Sequence, residues 1–122
     1  MLRTSTTTAA DIDGVIVHMS GTAGMSEAAQ LSMLLTAVLA GQPRRVVFDI
    51  GGLDMLTSIC IGEMITFRKS LMDAAAHDTR GPARVVIAAA KPGIGQSLRF
   101  TRLNELFELF ADVESARAAL KG

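Results

Sequence analysis

The sequence predicts one α/β domain, a mixed and mostly parallel sheet of four to five strands with helices packed against it. Three observations predict this. Short β-branched runs alternate with segments whose apolar residues recur every three or four positions. The runs at 46–48 and 85–87 are apolar without a break, as in strands covered on both faces. Strands that alternate with helices are joined by crossovers, and crossovers favour parallel pairing. A chain of 122 residues has room for one core, so residues 1–122 are expected to form a single domain.

The Thr- and Ser-rich residues 1–10 read as an N-terminal lead or a first edge strand. Val15, Ile16 and Val17, entered from Asp13-Gly14 and left through Ser20-Gly21, form the first clear strand. From Ser26 onward, Leu31, Leu34, Leu35, Val38 and Leu39 mark a helix that stops at Gly41, with Pro43 beyond it. Residues 45–50 carry Val46, Val47 and Phe48 as a central strand, which Gly51-Gly52 should break. A second helix starts near Ser58, sets Ile61, Met64, Phe67 and Leu71 on one stripe, and ends before Gly81-Pro82. Val85, Val86 and Ile87 form another buried strand, and Lys91-Pro92-Gly93 turns into a short helix containing Leu98. An apolar segment at 106–110 precedes a helix capped by Asp112, with Val113, Ala116 and Leu120 inward.

Composition narrows the function classes. About half the residues are hydrophobic, a fifth are charged, and twelve basic residues offset twelve acidic ones. No surplus of positive charge is available to track a phosphate backbone or an anionic membrane, so neither nucleic acid nor membrane insertion is expected. The absence of Trp and Tyr also removes the usual stacking platforms for single-stranded nucleic acid. One cysteine, Cys60, allows no internal disulfide, and no apolar run is long enough to span a bilayer; a cytoplasmic location is the expectation.

Chemistry-bearing residues are sparse. His18 and His77 lack partners at metal-ligand spacing, and no metal or cofactor is expected. Asp11, Asp13, Asp49 and Asp54 fall near strand ends, where turn-making and solvation account for carboxylates. Cys60 has no neighbouring His to activate it, so no catalytic residue is assigned. The stretch Pro92-Gly93-Ile94-Gly95-Gln96-Ser97 has the outline of a phosphate cradle, which makes Gly93 and Gly95 the candidate nucleotide contacts. It lacks the Gly-Lys-Ser/Thr ending that grips terminal phosphates, and a simple turn explains it.

Three stretches carry a wider likeness: Ser20-Gly21 after the first clear strand; Val46-Val47-Phe48-Asp49-Ile50 with Leu53-Asp54-Met55-Leu56-Thr57-Ser58 after it; and Leu103-Asn104-Glu105-Leu106-Phe107 before the last helix. In their order and spacing, residues 14–121 resemble the anti-sigma factor antagonist (STAS) family. The resemblance implies a non-catalytic regulatory module whose partner is an anti-sigma factor that is also a serine kinase. It places the phosphorylated serine at Ser58, and a partner surface at Asp54, Met55, Leu56, Thr57, Ser58, Ile59 and Ile61. Ser is also a favoured helix N-cap, and Ser58 is expected to fill that role as well. Where the family pattern usually has Asp before the serine and a small residue and Gly after it, this chain has Thr57, Ile59 and Cys60. The more apolar loop leaves open an unphosphorylated scaffold or transporter-associated subunit, and the Gly93 stretch or the aspartates leave open a small nucleotide-binding protein.

Overall fold

The computed structural model describes residues 1–121. Five strands form one sheet in the order β1 (Leu2–Ala9), β2 (Gly14–Ala23), β3 (Arg45–Leu56), β4 (Arg84–Ala88) and β5 (Glu108–Phe110). The β1–β2 pair is antiparallel and the other three pairs are parallel. Helices α1 (Ala28–Ala40), α2 (Ser58–Ala75) and α3 (Pro92–Phe100) make the three crossovers, and α4 (Val113–Leu120) follows β5. Each crossover advances one strand in the same direction, so the right-handed rule sends all three helices to one face.

The packing follows that rule. Val17, Val46, Phe48 and Ile87 from one face of the sheet join Leu31 and Leu35 of α1, Met64 and Phe67 of α2 and Leu98 of α3 in the main core. Phe48 is fully buried at its centre and meets Phe67 and Phe107 edge-on, with ring centroids 5.8 and 6.4 Å apart. The other face carries a smaller cluster, in which Ala116 and Leu120 of α4 and Ile12 of a 3-10 turn (Ala10–Ile12) cover Ile16, Val47 and Val86. Asp112 caps α4 as expected, accepting the Ser115 N–H at 2.7 Å, and that bond holds its carboxyl below the usual range. Asp11 accepts from Arg117 Nη2 at 2.8 Å and so ties α4 to the turn after β1.

At the N-terminus Leu2–Ala9 form edge strand β1, one of the two forms expected of residues 1–10, and within it only Leu2 and Ala9 are buried. One boundary differs from expectation. Gly51-Gly52 does not break β3: the strand runs on to Leu56, with register shifts against β2 around Ser20 and Gly21. A side chain at Gly52 would come within 2.5 Å of the Ser20 Cβ, so glycine is what lets the two strands stay paired through the bulge.

At the opposite end of the sheet, Arg80 donates to Asp78 from Nε and Nη2 and pushes that carboxyl down to about 2. A carboxyl depressed by folding adds stability above its unfolded pKa of about 3.9, and this stability is lost as pH falls toward 2. The melting temperature of Asp78→Asn should therefore vary less than that of the wild type between about pH 4 and pH 2. Parallel melting curves across that range check it.

Candidate functional site

The site is built where β2 and β3 end side by side. Thr57 leaves β3 in an extended conformation and is pinned to β2 twice, because its N–H and its Oγ1 both donate to the Ala23 carbonyl, at 3.0 and 2.8 Å. Cys60, one turn into α2, is buried and donates from Sγ to the Gly24 carbonyl at 3.4 Å. Burial pushes its thiol up, away from the reactive thiolate. These bonds hold the start of α2 against the end of β2 and so fix the position of the residue that directly follows Thr57.

That residue is Ser58. The N-cap of α2 is Thr57 rather than the expected Ser58, because the chain becomes helical only at Ser58 and the first helical bond runs from the Ile61 N–H to the Thr57 carbonyl. Thr57 caps with its backbone alone, since its hydroxyl is committed to Ala23. Ser58 is exposed, and among the described residues its hydroxyl makes no hydrogen bond to protein. It stands at the positive end of an 18-residue helix, where an anionic group is favoured.

The apolar neighbours divide cleanly. Cys60 is buried and Leu56 and Ile61 are half-buried, whereas Met55 is 45% exposed and Ile59 is 42% exposed. Met25, 72% exposed at the end of β2, lies in the same region, and the Met55 Cε sits 3.6 Å from where a Gly24 side chain would begin. Exposed methionine and isoleucine therefore flank the serine. On the other side, a concavity of about 430 Å³ opens between this loop and α3, with Leu56, Ile61, Ile94 and Leu98 in its wall. The ion pair of Lys91 with Asp54, 2.6 Å long, lies at this concavity and lowers the Asp54 carboxyl.

Gly93 and Gly95 are not in a loop. They occupy the first turns of α3, where the Gly95 N–H bonds the Lys91 carbonyl at 2.8 Å, and Gly93 borders the same concavity. Of the other polar residues singled out, His77 is exposed, Asp13 faces Arg80 at 3.6 Å, and Asp11 serves α4. His18 and Asp49 are brought together, Nδ1 to Oδ2, at 2.8 Å. Their separation of 31 positions hid that contact from sequence reasoning. Among the described residues no cluster of three or more His, Cys, Asp or Glu side chains could hold a metal, and no helix is long and apolar enough to cross a membrane.

No family model and no curated protein sequence matches the chain. Solved structures do match. An anti-sigma factor antagonist from Mycobacterium paratuberculosis superposes with a TM-score of 0.79 at 21% identity, covering 100% of this chain and 96% of that one. The Bacillus cell fate determinant SpoIIAA in its phosphorylated form gives 0.67 at 16% identity, over 98% of this chain and 99% of that one. A sulfate transporter family protein from Wolinella succinogenes gives 0.70 at 14% identity, over 87% and 83%. With likeness of this extent along the whole chain, the five-stranded sheet and its four helices have the fold of the anti-sigma factor antagonist (STAS) domains.

Proposed function

We propose that the domain is a cytoplasmic regulatory module that docks an anti-sigma factor with serine kinase activity, and that phosphorylation of Ser58 by this partner ends the docking. The observation that carries the reading is the exposed Ser58 hydroxyl, held at the N-terminus of α2 between the exposed side chains of Met55 and Ile59. The partner surface comprises Asp54, Met55, Leu56, Thr57, Ser58, Ile59 and Ile61. Its similarity in fold to an anti-sigma factor antagonist, and to SpoIIAA in phosphorylated form, supports the same reading.

The physics separates switching from unfolding. A phosphate at Ser58 brings a charge of about −1.5 to −2 to the positive end of α2, where the helix dipole stabilises it by roughly 1 kcal/mol. The helix survives. The same charge, set among apolar contacts, has to be stripped of water before a partner can close over Met55 and Ile59, and that desolvation costs several kcal/mol. Ser58→Asp should therefore keep the circular dichroism spectrum of the wild type and weaken partner binding at least about 10-fold, or about 1.4 kcal/mol. A melted helix with unchanged affinity would overturn the reading.

A second reading is a constitutive scaffold associated with a transporter. The apolar Ile59-Cys60 pair after the serine favours it, as does the fold shared with the sulfate transporter family protein. Labelling of Ser58 by a kinase separates the two.

A further inference from the structure

The second face of the sheet, beyond the part that α4 covers, carries a hydrogen-bonded line of three side chains from three adjacent strands. Asp49 on β3 pairs through Oδ2 with His18 Nδ1 on β2 at 2.8 Å, and His18 Nε2 lies 3.0 Å from Thr7 Oγ1 on β1. The other carboxylate oxygen, Asp49 Oδ1, accepts the Gly51 N–H at 3.1 Å, which fixes the carboxylate. With Asp49 Oδ2 accepting the Nδ1 hydrogen, the corresponding tautomer turns the Nε2 lone pair to the Thr7 hydroxyl. This is the order of nucleophile, base and orienting acid. Thr7 is exposed, the His18 side chain is 36% exposed and Asp49 is 24% exposed, so a reagent can reach the hydroxyl.

Beside His18 lies a concavity of about 330 Å³ lined by Arg3, Ser5, Ser20, Asp49 and Gly52 among others. Arg3 forms no ion pair with a carboxylate among the described residues. Its guanidinium is thus available for an anionic group on a bound molecule.

We propose that Thr7 is an acyl-acceptor site, activated by His18 and oriented by Asp49, for activated esters of small carboxylic acids, and that Arg3 favours acyl groups bearing a second carboxylate. In the transfer step the Thr7 Oγ forms a bond to the ester carbonyl carbon while its proton passes to His18 Nε2. The bond from that carbon to the leaving oxygen then breaks, the oxygen keeps the electron pair, and the proton on His18 passes to it. The products are O-acyl-Thr7 and the free alcohol or phenol, with nothing oxidised or reduced. Water later cleaves the new ester. His18 acts on the reacting atoms, and Asp49 is a positioning residue.

The test is to incubate the full chain with p-nitrophenyl acetate and, separately, with mono-p-nitrophenyl succinate. Nitrophenol release is followed and the adduct located by tandem mass spectrometry. The expected result is an adduct on Thr7, formed faster from the succinyl ester than from the acetyl ester. Thr7→Val should abolish it, and Arg3→Gln should remove the succinyl preference. His18→Gln should slow acylation at least about 100-fold. Asp49→Asn should lower the rate at saturation without raising the concentration of ester needed to saturate, and circular dichroism of each variant confirms that it is folded. Adducts confined to lysines and the N-terminus, or an unchanged rate in folded His18→Gln, would overturn the proposal and leave the line as a cross-strand hydrogen-bond chain.

Discussion

Phe48→Ala should cost about 3–5 kcal/mol of folding stability, a large share of the 5–15 kcal/mol that separates a domain of this kind from its unfolded chain. Phe48 is fully buried in the middle strand of the sheet and touches rings contributed by α2 and by the segment before β5. Removing the ring leaves a cavity that Phe67 and Phe107 cannot both collapse into, and it forfeits two edge-on contacts worth about 0.5–1.5 kcal/mol each. Chemical denaturation should show a lower midpoint with an unchanged slope. A loss under about 1 kcal/mol would mean that the three rings do not form the centre of the core.

Met55→Asp should leave folding within about 0.5 kcal/mol of the wild type while weakening docking of the proposed partner at least about 30-fold, or about 2 kcal/mol. The side chain is half in water already, so the folded state loses little when it becomes charged. In the proposed complex the same position lies under the partner, where a carboxylate without a counter-charge is left desolvated. Titration of the partner against both proteins, with melting curves alongside, checks the two halves together. Full affinity in a folded Met55→Asp protein would move the contact surface away from the loop.

The sequence made the parallel centre of the fold legible because buried strands have to be apolar on both faces, and 46–48 and 85–87 are. Residues 1–10 were ambiguous for the opposite reason: β1 is an edge strand whose threonines face water, and only Leu2 and Ala9 reach a core. Gly51-Gly52 looked like a break because local rules cannot register that Ser20 presses against Gly52 from the next strand. Family likeness singles out Ser58 as a candidate, but local rules place the cap one residue late, since the bonds that hold Thr57 extended until the helix begins reach back 34 positions to Ala23. Residue type could not tell which apolar neighbours turn outward; packing of α2 on the sheet buries Cys60 and leaves Met55 and Ile59 out. The Thr7, His18 and Asp49 line lay furthest from view, because strand pairing alone assembles it.

In the proposed switch, the accessible Ser58 hydroxyl decides whether a partner stays bound. The most direct test is to isolate the protein from its native cells in partner-bound and free pools and to map phosphorylation in each. Phosphate is expected on Ser58 in the free pool, and unmodified Ser58 in the bound pool. Equal phosphorylation of the two pools, or phosphate on another residue with Ser58 untouched, would contradict the switch.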